Sequence, residues 1–124
     1  MKLLDDQSIK RASTAFRCLP LNKKFYSTVK EKGLTAEHVF QKEYQYQVNG
    51  LKWFKNSTSV EAAFRWLITI GILRREVDGQ GLTSRVRLTP LGRQILSSNP
   101  ELPDQKAGLH EQISNFLNRK WPLR

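Results

Sequence analysis

Along most of the chain apolar residues recur at helical intervals, and over one stretch only they alternate. Ile9, Ala12, Phe16 and Leu19 share one side of a helix that begins near Asp5 or Asp6 and stops before Pro20. Acidic residues suit its start, where the helix dipole is positive. A second pattern, NKKFYSTVKEKG, opens at Asn22 and closes at Gly33, glycine being common just past a helix end. LTAEHVFQKEYQYQV predicts a third helix, capped by Thr35 and turning Val39 and Phe40 toward a core. The stretch from Asn49 to Ser59, NGLKWFKNSTS, carries an Asn-Gly turn signal and two adjacent aromatics. It reads as a short strand, a loop or a helix extension.

VEAAFRWLITIG predicts the best-defined helix, capped by Ser57 or Ser59 and ended by Gly71. With successive residues about 100° apart, Val60, Ala63, Phe64, Leu67, Ile68 and Ile70 fall on one broad arc. That arc belongs in a core. The opposite stripe holds Thr58, Ala62, Arg65 and Thr69, with Glu61 and Trp66 at the borders. Such a slim face fits a groove about 12 Å wide, where Arg65 can donate two hydrogen bonds to a guanine edge. It is equally the solvated side of an ordinary amphipathic helix.

Alternation then takes over. Two strands, about Ile72–Val77 and Leu82–Leu88, flank a turn at Asp78–Gly81, DGQG. Period two sends Leu82, Val86 and Leu88 inward, with Ser84 on their side, and Arg85 and Arg87 outward. Arg75 shares a side with Leu73 and Val77, and is expected to extend its charged end to the rim. Outward arginines beside a groove-sized helix suit a phosphate clamp. A further helix begins near Pro90, SSNPELPD breaks the chain, and QKAGLHEQISNFLNRKW predicts a last helix with Leu109, Ile113, Phe116 and Leu117 on one stripe.

Charge sharpens the picture. Among 124 residues, 21 Lys and Arg face 11 Asp and Glu, a formal charge of +10. That surplus favours a polyanionic partner. The wing region is positive, and so is the N-terminal third, where Lys10, Arg11, Arg17, Lys23 and Lys24 read as solvated charge or as flanks of the same contact. Cys18 is alone, so no intrachain disulfide forms, and His38 and His110 match no zinc pattern. No apolar run is long enough to span a membrane, and MKLLDDQSIK lacks the apolar core of a secretory signal. The expected location is the cytoplasm, on the nucleoid. Glycine-rich phosphate loops and nucleophile elbows are absent, so an enzyme is not expected, nor is a cofactor or metal. No ligand pocket is legible.

SVEAAFRWLITIGILRREVDGQGLTSRVRLTPLGRQIL resembles the C-terminal half of a winged helix-turn-helix domain of the MarR and PadR regulator types. The resemblance covers roughly Ser57 to Leu96. It rests on Gly71-Ile72-Leu73-Arg74-Arg75 after a capped helix, on a hairpin with its tip at Asp78–Gly81, and on Leu88-Thr89-Pro90-Leu91-Gly92-Arg93. It implies an α+β fold, mainly α: a winged helix-turn-helix with additional N- and C-terminal helices. A single domain over 1–124 would divide into N-terminal helices (1–34), helix-turn-helix plus wing (35–96) and a C-terminal helix (105–119). GLTAEHVF resembles the helix before the recognition helix, although YQYQVNGLKWFKNS is longer than the family's turn.

The implied function is sequence-selective binding of double-stranded DNA by a small transcriptional regulator. The recognition helix, about 58–70, would enter the major groove and the wing, about 72–88, would follow the backbone. Thr58, Ala62, Arg65 and Thr69 are the expected base contacts. Lys55, Arg74, Arg85 and Arg87 are the expected backbone contacts, because the wing tip holds Asp78 and no arginine. The terminal helix would pair two copies into a homodimer, with recognition helices about 34 Å apart. A winged helix also serves as a protein-interaction module, for which exposed Trp53, Trp66 or Trp121 would speak, or as an RNA-binding accessory factor.

Overall fold

The computed structural model describes residues 6–19, 21–47, 54–101 and 103. Over them the chain is α+β and mainly helical: α1 (Asp6–Cys18), α2 (Lys23–Glu31), α3 (Ala36–Gln41), α4 (Glu43–Tyr46), α5 (Ser57–Thr69), β1 (Leu73–Asp78), β2 (Gly81–Leu88) and α6 (Pro90–Ser98). The helix expected at 105–119, Trp53, Trp121 and the Cys18 side chain lie outside the described residues.

Caps set most helix ends. Asn22 accepts a hydrogen bond from Phe25 N at 2.9 Å, and its amide donates to the carbonyls of Gln45 and Gln47. One side chain thereby starts α2 and ties it to the end of α4. Thr35 accepts from His38 N at 3.1 Å, as expected of an N-cap. The third predicted helix is broken at Lys42 into α3 and α4, with neither proline nor glycine to mark the break. The cap of α5 is Asn56, which accepts from Ser59 N at 2.9 Å; Ser57 and Ser59 lie inside the first turn. At the other end Gly71 N donates to Ile68 O and Ile72 N to Leu67 O, the paired closure that needs a left-handed residue. Gly71 supplies it, at φ +89°.

Gly33 plays a different part from the expected helix stop. Its φ is not positive, and a Cβ there would lie 2.6 Å from Glu76 Oε1 and 2.8 Å from Arg85 Cβ. The glycine lets the hairpin come close to the end of α2.

The core lies among α1, α2, α5 and the base of the hairpin. Phe25 and Phe64 stack with ring centroids 5.7 Å apart, and Phe16 meets Tyr26 edge-on at 4.7 Å. Val60, Ala63, Phe64, Leu67 and Ile70 are buried and Ile68 partly so, as the 100° spacing requires. Trp66, expected at the border, is only 6% exposed and belongs to the core.

The strands pair antiparallel, Leu73 with Leu88, Arg74 with Arg87 and Arg75 with Val86. The register then slips, so that Glu76 alone faces Thr83, Ser84 and Arg85 before pairing resumes at Val77 and Leu82. Thr83 Oγ1 donates to Glu76 O and accepts from Arg85 N, holding the irregular stretch. Leu34 adds an isolated antiparallel bridge to Val86 on the far side of β2. Val86 and Leu88 are buried as expected, but Leu82 is 76% exposed and its partner Val77 62%. Alternation predicts burial only where a body lies beneath the sheet, and the described core stops short of this tip.

Thr89 caps α6 by accepting from Gly92 N, with Pro90 in the first turn. Gly92 is a close-packing position, since a Cβ there would sit 2.9 Å from Ile72 O.

Candidate nucleic-acid interface

The outer stripe of α5 faces outward. Thr58, Arg65 and Thr69 are exposed and Ala62 is half-buried. Thr69 Oγ1 donates to Arg65 O at 2.9 Å, so its proton is engaged within the helix and its oxygen remains as an acceptor. A shallow depression of about 380 Å³ separates this stripe from the start of α3 and from the hairpin; Thr35, Thr58, Glu61, Arg65 and Ser84 are among its walls. Helix and hairpin thus meet at one surface, with Thr58 and Arg65 on its helix side and Ser84 on its strand side. Ala62 and Thr69 do not line the depression.

The hairpin arginines are arranged differently from expectation. Arg75 turns toward α5 and forms an ion pair with Glu61 while also donating to Ser84 O at 3.0 Å. Its charge is answered there rather than carried to the rim. Arg85 forms an ion pair with Glu76. Arg87 reaches the same carboxylate at 3.2 Å and donates to Val29 O and Lys30 O, each at 3.1 Å. The face that alternation sends away from Val86 therefore meets the C-terminal end of α2, where carbonyls lack helical partners. Arg87 acts as a strap between the hairpin and α2. Arg85, 41% exposed at its side chain, keeps part of its fork open to solvent.

The two guanidiniums hold the Glu76 carboxyl below the usual carboxylate range, and Glu76 in turn raises Arg85. Lys55, Arg65 and Arg74 are exposed and form no ion pair with the described residues. Glu37, also at the depression, is exposed and adds one opposing charge.

Sequence reasoning missed Glu61 and Glu76 as organisers of the hairpin. Both stand close to arginines in sequence or in predicted space, yet which arginine each would take depends on the register slip at Glu76. Among the described residues no group of three or more His, Cys, Asp or Glu is placed to hold a metal, and no helix is long and apolar enough to cross a membrane.

Comparison with curated proteins and with solved structures finds no match. Over residues 3–119 the chain matches the Npun_F0494-like family, and it belongs to that family.

Proposed function

We propose that the protein is a winged helix that binds double-stranded DNA selectively, as a small regulator of transcription rather than a catalyst. The observation that carries the reading is the exposed, slim stripe of α5 beside a two-stranded hairpin, with Thr58, Arg65 and Ser84 on one depression. The order of elements adds support: α2, the Leu34 bridge, α3, α5, hairpin and α6 are compatible with a winged helix, with α4 inserted between α3 and α5. Arg65 would read a base edge, with Thr58 and Thr69 beside it. Backbone contact would fall on Arg74, Lys55 and the open part of Arg85, while Arg87 braces the wing.

Selection of bound sequences from a random duplex pool tests this directly. Enrichment of a short motif is expected, together with preference for duplex DNA over single-stranded RNA at equal salt. An unenriched pool would refute sequence-selective binding. The exposed pair Val77 and Leu82 gives one observation to the protein-interaction reading, since apolar residues at a solvent-facing tip suit an apolar partner. Replacing both by threonine separates the two: duplex binding mediated by α5 survives, and tip-mediated protein capture does not.

A further inference from the structure

Glu61 and Arg65 stand four residues apart on α5, with the carboxylate on the N-terminal side. That spacing and that order favour an ion pair along a helix surface. The pair does not form. Glu61 takes Arg75 of β1 instead, and Arg65 forms no ion pair with the described residues.

The geometry of Arg75 explains the choice. One arm of its guanidinium meets the Glu61 carboxylate, and the other donates to Ser84 O at 3.0 Å. The planar fork is therefore held at two points, which a solvated side chain such as Arg65 is not. The side chains of Arg75 and Glu61 are 19% and 29% exposed, so solvent screens their attraction less than that of a fully exposed pair.

Glu61, Arg65 and Ser84 line the same depression. A Glu61 carboxylate drawn to Arg65 would occupy the guanidinium there, and one left alone would repel a polyanion. We propose that Arg75 is a positioning residue: by holding Glu61 it keeps the Arg65 guanidinium open for an acceptor on DNA. The inference deepens the DNA-binding reading and rests on it for the acceptor, whereas the release of Arg65 needs no DNA.

Phenylglyoxal labelling of the full chain, mapped by mass spectrometry, reads the openness of Arg65 without DNA. Glu61→Gln leaves the Arg65 rate as in wild type, because the carboxylate is not on Arg65. Arg75→Gln slows it about twofold, the strength of a helical pair four residues apart, and Glu61→Gln/Arg75→Gln restores it. Arg75→Lys, which keeps a cation beside Glu61, labels as wild type does. Faster labelling of Arg65 in Glu61→Gln, or an unchanged rate in Arg75→Gln, would overturn the proposal; the first of these readouts stands even where Arg75→Gln does not fold. Competition between selected and random duplexes reads the consequence. Arg75→Gln narrows the ratio of the two affinities by at least about twofold, and the double variant regains it. A loosened hairpin or a lost phosphate contact would not be repaired by removing Glu61 as well, so a double variant as poor as Arg75→Gln refutes the positioning role. The expected labelling with no motif enriched from a random duplex pool would sink the DNA reading and leave the hold of Arg75 on Glu61 standing.

Discussion

A carboxylate at position 76, opposite three residues of the returning strand, lies within reach of both Arg85 and Arg87. Its charge favours pairing in place, so two arginines that alternation assigns to solvent turn back onto the protein. The depressed Glu76 ionisation has a direct consequence for stability. A carboxyl with a lowered folded-state pKa stabilises the fold above its unfolded value, about 4.3, and loses that contribution as pH falls through the folded value. Glu76→Gln is therefore expected to lower the thermal midpoint at pH 7, with the gap to wild type narrowing as pH falls below the usual carboxylate range. A gap of equal size at every pH would show that the pairs contribute nothing through charge. Arg65 makes the opposite kind of prediction, since it is exposed and forms no ion pair with the described residues. Arg65→Ala should cost about 1–3 kcal/mol at one base position and little on random DNA. Competition with selected and random duplexes measures both, and equal losses would remove its reading role.

At the scale of elements, α5 owes its limits to Asn56 and Gly71. Asn56→Ala should destabilise by about 1 kcal/mol in chemical denaturation, and Ser57→Ala should change little, because only Asn56 satisfies an end N–H with its side chain. Gly71→Ala forces an alanine into the left-handed region and should cost about 1–2 kcal/mol. The apolar arc, the helix start at Asn22, the N-cap at Thr35, the glycine stop at Gly71 and both strands to within a residue were legible in the sequence. Each depends on neighbours within a turn or along a strand. The break at Lys42, the burial of Trp66 and the exposure of Leu82 were not, because each depends on what another element places against it.

At the scale of the molecule, the proposed contact with a polyanion and the stability of the fold would draw on different arginines. Arg74 is exposed and forms no ion pair with the described residues, whereas Arg87 pairs with Glu76 within the hairpin and donates to two α2 carbonyls. If about six phosphates are neutralised, the logarithm of affinity falls with the logarithm of salt at a slope near −5. Arg74→Ala should make that slope shallower by about 0.9 and leave the thermal midpoint alone. Arg87→Ala should lower the midpoint with a smaller effect on the slope, since its charge is already answered. Salt titrations of duplex binding and thermal melts of the two variants distinguish these roles, and a reversed pattern would contradict the division.

Local periodicity and charge, read from the sequence alone, determined the α5 core face and its polar stripe, the hairpin, the entry into α6 and the excess of positive charge. These follow from chain geometry that repeats every 3.6 or 2 residues. Only the tertiary structure decided the partners of the arginines, the close approach at Gly33 and the Leu34 bridge. Each joins residues far apart in the chain, and a sequence carries no local mark of which distant group will stand within a hydrogen bond of another.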